Sequence, residues 1–347
     1  MQFPEIIPAD AAAAARARAR WNAIAKPVGS LGLLEDMVVK IAALTGSENV
    51  SIKNRAVVVM CADNGVVKEG VTQSPSSVTA LVAENMVKKN SSVCRMAACF
   101  HADVLPVDIG MLTEVTGAVK RKVAPGTGNI RTGPAMTKAQ AEQAIAAGME
   151  LVRDLKSRGC SVIVTGEMGI GNTTTSAAMA SVLLQRPVAE MTGRGAGLGD
   201  AALARKIAVI EEAIAVNRPD KNDALDVLAK LGGFDIAGMC GLFIGGAVYR
   251  IPVIIDGFIS AVAALAALRL LPEAKIAMLP SHQSPEPAVA SVMEALRLTA
   301  PIQAGLRLGE GTGGVCLLPL LDAALSVYHG MVSFVDIGLA PYEVNPK

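Results

Sequence analysis

Aromatic side chains are scarce in this chain: one Trp, three Tyr and six Phe, 3% of 347 residues. Histidine is scarcer still. His101, His282 and His329 are the only three and none is paired with another, which argues against a histidine-based metal site. The six cysteines (Cys61, Cys94, Cys99, Cys160, Cys240, Cys316) form no CxxC and no zinc spacing, so they read as buried thiols of a reducing cytoplasm. Neither sign of charge is in excess. A net charge of +1, with the charges interspersed, gives no electrostatic footing for nucleic acid or an anionic membrane surface. Long apolar runs are missing as well. The most hydrophobic stretch, Ile236 to Leu271, is cut by Arg250, Asp256 and Arg269, and its uncharged pieces fall short of the roughly 20 residues a spanning helix needs. The opening Met1-Gln2-Phe3-Pro4-Glu5 lacks a basic segment followed by an apolar core, so no secretory leader is expected and a cytoplasmic location is. There is no Gly-Lys-Ser/Thr P-loop, no Gly-x-Ser-x-Gly elbow, no internal repeat and no low-complexity tail.

What is present is a large apolar content, 52%, carried mostly by Ala, Val and Leu. Ala-rich helices on Val/Ile-rich strands give that balance. Residues 9–24 read as a helix with Asp10 as N-cap. Lys26-Pro27-Val28-Gly29-Ser30-Leu31-Gly32 ends it, and Ser30 is placed to cap a second helix, Leu31–Leu44. Strands are expected at Ala56–Cys61, Val104–Asp108, Ser161–Thr165, Ile251–Ile255 and Ile276–Leu279. Helices are expected at Ser76–Lys89, Lys138–Ser157, Thr174–Leu184, Ala201–Ala215, Gly257–Leu270 and Pro285–Leu298. Nearly continuous apolar strands alternating with helices predict a doubly wound, mainly parallel α/β sheet, Rossmann-like, with ligand beyond the carboxyl ends of the strands.

Small and polar residues gather at those strand exits. Gly166-Glu167-Met168-Gly169-Ile170-Gly171-Asn172-Thr173-Thr174 leads from a strand into a helix, where backbone N–H groups suit a phosphate or simply make a tight turn. Thr192-Gly193-Arg194-Gly195-Ala196-Gly197 offers an arginine for an anion, or a flexible connection with a solvated arginine; Lys206 on the next helix reads as a surface lysine. Gly126-Thr127-Gly128-Asn129-Ile130 carries the same two readings. Asp63, Asp108 and Asp256 each leave a strand, to hold ribose hydroxyls or to cap the next element. His282 reads as a hydrogen-bonded loop histidine. The most informative segment is Gly309-Glu310-Gly311-Thr312-Gly313-Gly314, entering an apolar helix. A carboxylate stripped of neighbouring side chains is poised to take a proton from a ligand, although acidic residues also favour helix N-termini. The residues alone support an α/β enzyme for a nucleotide or sugar phosphate with Glu310 as candidate base, and leave the reaction open.

Lys26–Gly32, Gly166–Thr174, Lys230-Leu231-Gly232-Gly233-Phe234-Asp235 and Arg307–Gly313, with Asp256-Gly257-Phe258 and Pro280-Ser281-His282, together resemble the nicotinate-nucleotide–dimethylbenzimidazole phosphoribosyltransferase family, end to end and in order. The resemblance implies a large α/β domain (26–289) and a small helical domain from both termini (1–25 with 290–347). It implies transfer of 5-phosphoribose from nicotinate mononucleotide to an aromatic base with inversion at C1′, and neither metal nor cofactor. It assigns Glu310 as catalytic base, and Glu167, Gly169, Gly171, Asn172, Thr173, Thr174, Gly193, Arg194, Gly195 and Lys206 to the nucleotide. Ser74, Val82, Asn64 and Leu308 fall in the acceptor pocket. Two departures lie there: family members often carry Ala-Asp-His-Gly where this chain has Ala62-Asp63-Asn64-Gly65, and some carry glutamine at the place of Val82. Benzimidazole, purine and phenolic acceptors therefore stay open. The expected assembly is a homodimer, with a heterodimer of paralogues as the alternative.

Overall fold

The computed structural model describes residues 1–340 and 342. Two helices, α1 (Ala11–Ala23) and α2 (Leu33–Thr45), precede strand β1 (Arg55–Ala62). Helices α3 (Ser77–Val87) and α4 (Ser92–Ala98) lead to β2 (Ala102–Gly110) and the short β3 (Val119–Lys120). Then come α5 (Lys138–Ser157), β4 (Val162–Met168), α6 (Asn172–Leu184), α7 (Val188–Met191), α8 (Asp200–Asn217), α9 (Ala224–Leu231) and α10 (Phe234–Tyr249). The chain finishes with β5 (Val253–Ile255), α11 (Phe258–Leu270), β6 (Met278–Pro280), α12 (Val289–Leu296) and α13 (Thr312–Gly330). The strands form one sheet in the order β3-β2-β1-β4-β5-β6, every pairing parallel. The order reverses between β1 and β4, the topological switch at which doubly wound sheets open a ligand crevice.

Strand side chains alternate between two cores. Val58, Met60, Ala62, Ile163, Val253 and Ile255 point into one, built with α5, α6 and α9 to α12. Val57, Val59, Cys61, Val162, Val164 and Ile254 point into the other, covered by α1 to α4 and α13. In the second core Trp21 of α1 stacks tilted against Tyr328 of α13, ring centroids 4.9 Å apart, so the first and last helices meet. Helix α13 is long and apolar enough to cross a membrane by length and composition; its buried residues pack in this core instead, against the sheet.

All five expected strands are present, β4 running on through Gly166, Glu167 and Met168, which had read as loop. The edge strand β3, too short to carry a pattern, was not expected. Nor were α4, α7, α9 and α10. Residues 234–247 of α10 are all buried, and a helix apolar all round has no 3.6-residue stripe to betray it. It lies backbone to backbone on α5: a methyl group on Gly148 would overlap the Gly238 carbonyl, and one on Gly241 the Ile145 carbonyl.

Asp10 caps α1 as expected, accepting from Ala13 N at 2.9 Å. Ser30 does not cap α2. The helix starts two residues later, after Gly32 at φ +55°, and makes no side-chain cap. Buried Glu35 takes over the turn, accepting from Leu31 N at 3.0 Å and from Lys26 Nζ at 2.6 Å. Four cysteines are buried, while Cys99 is exposed and Cys316 half-buried.

Gly241→Ala should destabilise the protein. Overpacking against a backbone carbonyl costs roughly 1–3 kcal/mol or more, against about 1 kcal/mol gained in helix propensity. Denaturant unfolding measures the balance, and an unchanged midpoint would contradict the close α5–α10 contact.

Candidate active site

The exits of β4, β5 and β6 surround a cavity of about 290 Å³. At its floor β4 delivers Glu167, and the turn Gly169-Ile170-Gly171, with Gly171 at φ +92°, starts α6. Asn172 opens α6 and donates from one nitrogen to two carboxyls, Glu167 Oε2 and Asp235 Oδ2, the latter at 2.9 Å. Thr173 Oγ1 accepts from Lys206 Nζ at 2.9 Å, and the same ammonium donates to Gly193 O at 3.1 Å. Lys206 is thus a buried cation on α8, not the surface lysine its helix position suggested. Burial lowers its pKa to about 8, and the charge of Glu286 opposes the shift.

Directly beside Glu167, Gly309, Glu310 and Gly311 are consecutive left-handed residues, φ +85°, +61° and +92°. The two glycines accept this readily; for Glu310 it is a strained conformation that its surroundings must hold. Asp256, at the exit of β5, holds it: Oδ2 accepts from Gly311 N at 3.2 Å and Oδ1 from Gly314 N at 2.9 Å. Gly166 backs the loop from β4, where a methyl group would lie 2.5 Å from the Glu310 carbonyl oxygen. Glu310 Oε2 is buried without a partner. Burial pushes this carboxyl above its usual value, and the charge of Asp256 adds to the shift.

Carboxyl groups crowd the site. Burial drives Glu167 well up, with Asp235, Asp256 and Glu310 adding repulsion. Burial raises Asp256 too, opposed by His282. His282 is buried, its Nδ1 3.2 Å from Ser281 Oγ, and its ring lines the cavity. Among the described residues no group of three or more His, Cys, Asp or Glu is arranged to hold a metal ion.

Of the residues expected here, Glu167, Gly169, Gly171, Asn172, Thr173 and Gly195 line the cavity together with Glu310, and Val82 and Leu308 sit on its wall. Lys206 and Arg194 border a small hollow beside it that shares Thr173 and Gly195. Arg194 itself turns to Asp200, 2.5 Å away. Thr174 is wholly buried inside α6, and Gly193 packs against Glu286 and Pro287. Ser74 lies off the wall in a half-buried turn, its N–H on Thr72 Oγ1 at 3.3 Å. Asn64 lies off it too, beneath the β4 turn, donating to Ile170 O at 3.4 Å. Asp63 and Asp108 anchor the following loop through Leu112 N and Met111 N. In the Gly126–Ile130 loop, Thr127 N bonds Asp63 O and Gly128 N bonds Ala135 O. Sequence reasoning did not assign Asp256, His282, Ser284 or Glu286 to the site. The first two carried a signal, since each follows a strand; Ser284 and Glu286 carried none.

A family model described as phosphoribosyltransferase (DBI_PRT) matches residues 6–339. A nicotinate-nucleotide–dimethylbenzimidazole phosphoribosyltransferase of Acetivibrio thermocellus is 48% identical over 326 residues, 93% of each chain. One of Ruminiclostridium cellulolyticum is 46% identical over 330 residues, 94% of each. The crystal structure of CobT from Thermus thermophilus superposes with a TM-score of 0.90 at 36% identity, covering 95% of this chain and 100% of that one.

The crowded carboxyls make stability depend on pH. Glu167, Asp235, Asp256 and Glu310 are all raised, Asp235 to about 6, so the folded chain binds protons more tightly than the unfolded one. Their contribution is complete below the unfolded carboxylate pKa of about 4 and is lost as pH rises through the folded values. The melting temperature of the ligand-free protein should therefore drop as pH rises from about 4 through about 6, where Asp235 titrates, less so in Glu167→Gln. Identical profiles for the two proteins would refute the coupling.

Proposed function

The chain belongs to the phosphoribosyltransferase family of that model, and we propose that it moves 5-phosphoribose from nicotinate mononucleotide to dimethylbenzimidazole, the two substrates named for its relatives. The products are α-ribazole 5′-phosphate and nicotinate, with inversion at C1′. The relatives' names favour the benzimidazole over the phenolic and purine acceptors that the sequence left open.

One observation carries the mechanism. Glu310 lines the cavity and carries a buried carboxylate oxygen without a partner, and burial raises its pKa against the pull of the Val93 backbone. As the unprotonated ring nitrogen of the azole attacks C1′ with its lone pair, the proton on the other ring nitrogen passes to Glu310. The C1′–pyridinium bond breaks with its electron pair going to the ring nitrogen, so nicotinate leaves with a neutral ring and needs no acid. Positive charge spread over ribose and pyridinium in the transition state suits a cavity lined by Glu167, Asp256 and Glu310. The phosphate belongs at the other end, with the α6 N-terminus, Thr173 and the Lys206 ammonium. The acceptor lies on the side of Val82, Leu308 and Glu310.

The active species in this reading is a dimer of this chain. Val332, Val335, Ile337 and Leu339 leave apolar surface exposed on the segment after α13, which a second copy would cover. Sedimentation of the isolated chain, with its activity, distinguishes this from a heterodimer.

The decisive experiment is mass spectrometry of the protein with nicotinate mononucleotide and a panel of dimethylbenzimidazole, adenine, phenol and p-cresol. A ribosyl-phosphate adduct of dimethylbenzimidazole with matching nicotinate release is expected; release with no such adduct rejects the acceptor. Glu310→Gln should lower kcat by about 10²–10⁴-fold while nucleotide binding persists. Activity of the native protein should fall on the acid side at a pH above the ordinary glutamate value of 4.5. Nucleotide affinity should weaken as pH rises through about 8, where Lys206 loses its charge.

A further inference from the structure

Two glycines far apart in sequence leave room for one buried pair of side chains. A methyl group on Gly169 would lie 2.6 Å from Asp235 Oδ2 and 3.0 Å from Asn64 Nδ2. One on Gly233 would overlap Asp235 Oδ1 and lie 2.6 Å from Asn64 Oδ1. Asp235 and Asn64 therefore stand side by side, 0% and 1% exposed. Asn64 is oriented by Nδ2, which donates to the Ile170 carbonyl. That leaves its Oδ1 on the Gly233 side with Asp235 Oδ1, and both oxygens are buried without a hydrogen-bond partner. Two acceptors cannot satisfy each other. An amide oxygen carries no proton, so of these two groups the acid is the one able to donate. On its other side Asp235 Oδ2 accepts from Asn172 Nδ2, whose second hydrogen goes to Glu167 Oε2.

We propose that Asp235 is a neutral carboxylic acid donating its Oδ1 proton to Asn64 Oδ1, and that it serves as a positioning residue, holding Asn172 and through it the Glu167 carboxyl in the cavity. Its surroundings favour the neutral form. Burial pushes Asp235 up to about 6 against the hydrogen bond from Asn172. Asp63 from the exit of β1 adds negative charge. A hydrogen bond given by the acid to Asn64 raises it further. The backbone at the start of α10 pulls the other way. Asn64, which the sequence assigned to the acceptor pocket, reaches the site through this chain of contacts instead of touching the cavity.

The proposal rests on the reading above only for the identity of the ligand. Its test is the pair Asp235→Asn and Asp235→Ala. The asparagine amide reproduces both bonds of a neutral acid, with nitrogen donating to Asn64 and oxygen accepting from Asn172; alanine makes neither. Asp235→Asn should keep kcat/KM for nicotinate mononucleotide within about threefold. Asp235→Ala should lose about tenfold or more, the scale of orphaned buried groups, mostly as a higher KM. A second measurement needs no turnover: the infrared difference spectrum of ligand-free wild type minus Asp235→Asn should contain the carbonyl band of a protonated carboxylic acid. Asp235→Asn impaired as badly as Asp235→Ala, an unimpaired Asp235→Ala, or a difference spectrum with only carboxylate bands would each overturn the proposal. Should Asp235→Ala fail to fold, the spectrum and the Asp235→Asn kinetics still decide. A protein that shows the acid band yet does not turn over nicotinate mononucleotide would count against the ligand assignment alone.

Discussion

The two hydrogen bonds from Gly311 and Gly314 to the Asp256 carboxylate are the constraint on which this molecule turns. They join the end of β5 to the first turn of α13. Hydrogen bonds to an ionised acceptor are roughly twice as strong as neutral ones, and the helix N-terminus favours the negative charge they meet. They therefore hold the left-handed Glu310, a conformation that costs about 1–3 kcal/mol when left to itself. Gly166, Gly311 and Gly314 allow the approach, because a side chain at any of them would meet the Glu310 carbonyl, Val57 or Val164. A strained glutamate, a capped helix and a closely packed strand are thus aspects of one junction.

Around that junction the protein sorts charge by position. Carboxyl groups converge on the middle of the cavity with His282 beside them, while the Lys206 ammonium stands apart beyond Thr173. Such a field is costly to an empty protein, since each buried anion lacks the water it would have outside. It suits a ligand whose reacting carbon becomes cationic and whose tail is anionic. The same arrangement that weakens the fold at neutral pH is the preorganised environment that a developing positive charge requires.

Much of this was legible in the sequence, and the failures have physical causes. The principal strands announced themselves because each is buried on both faces and reads as an unbroken apolar run. Glu310 stood out because glycines flank it. Helix α10 did not, because it is apolar on every side and punctuated by Gly238, Gly241, Gly245 and Gly246, which look like breakers but serve contact with α5 and the sheet. The Gly166–Thr174 segment was read as one anion loop. Its glycines divide the work: Gly166 backs Glu310, Gly169 clears space for Asp235, and Gly171 turns the chain into α6. Asp256, Asp63 and Asp108 each followed a strand with the same local signature, and only the tertiary fold separates the one that reaches the cavity from the two that tie down a neighbouring loop. Asn64 was legible as important and misleading as to where.

The meeting of Trp21 with Tyr328 carries a consequence for how the chain acquires its shape. Arg20 also reaches this helix, donating to the Tyr328 carbonyl at 2.7 Å, so α1 depends on a partner made some 308 residues later. The Glu310 loop likewise rests on Gly166 and Asp256, which are synthesised well before it. Contacts of such separation form only after long loops have closed, and this slows folding. A chain emerging from the ribosome can assemble the α5–α10 core and most of its strands while one sheet face is still open and apolar. That face gains its last cover, and the cavity its Glu310 wall, when α13 docks. Docking of the final helix therefore both covers that face and completes the cavity wall, so Glu310 takes its place only in the fully assembled molecule.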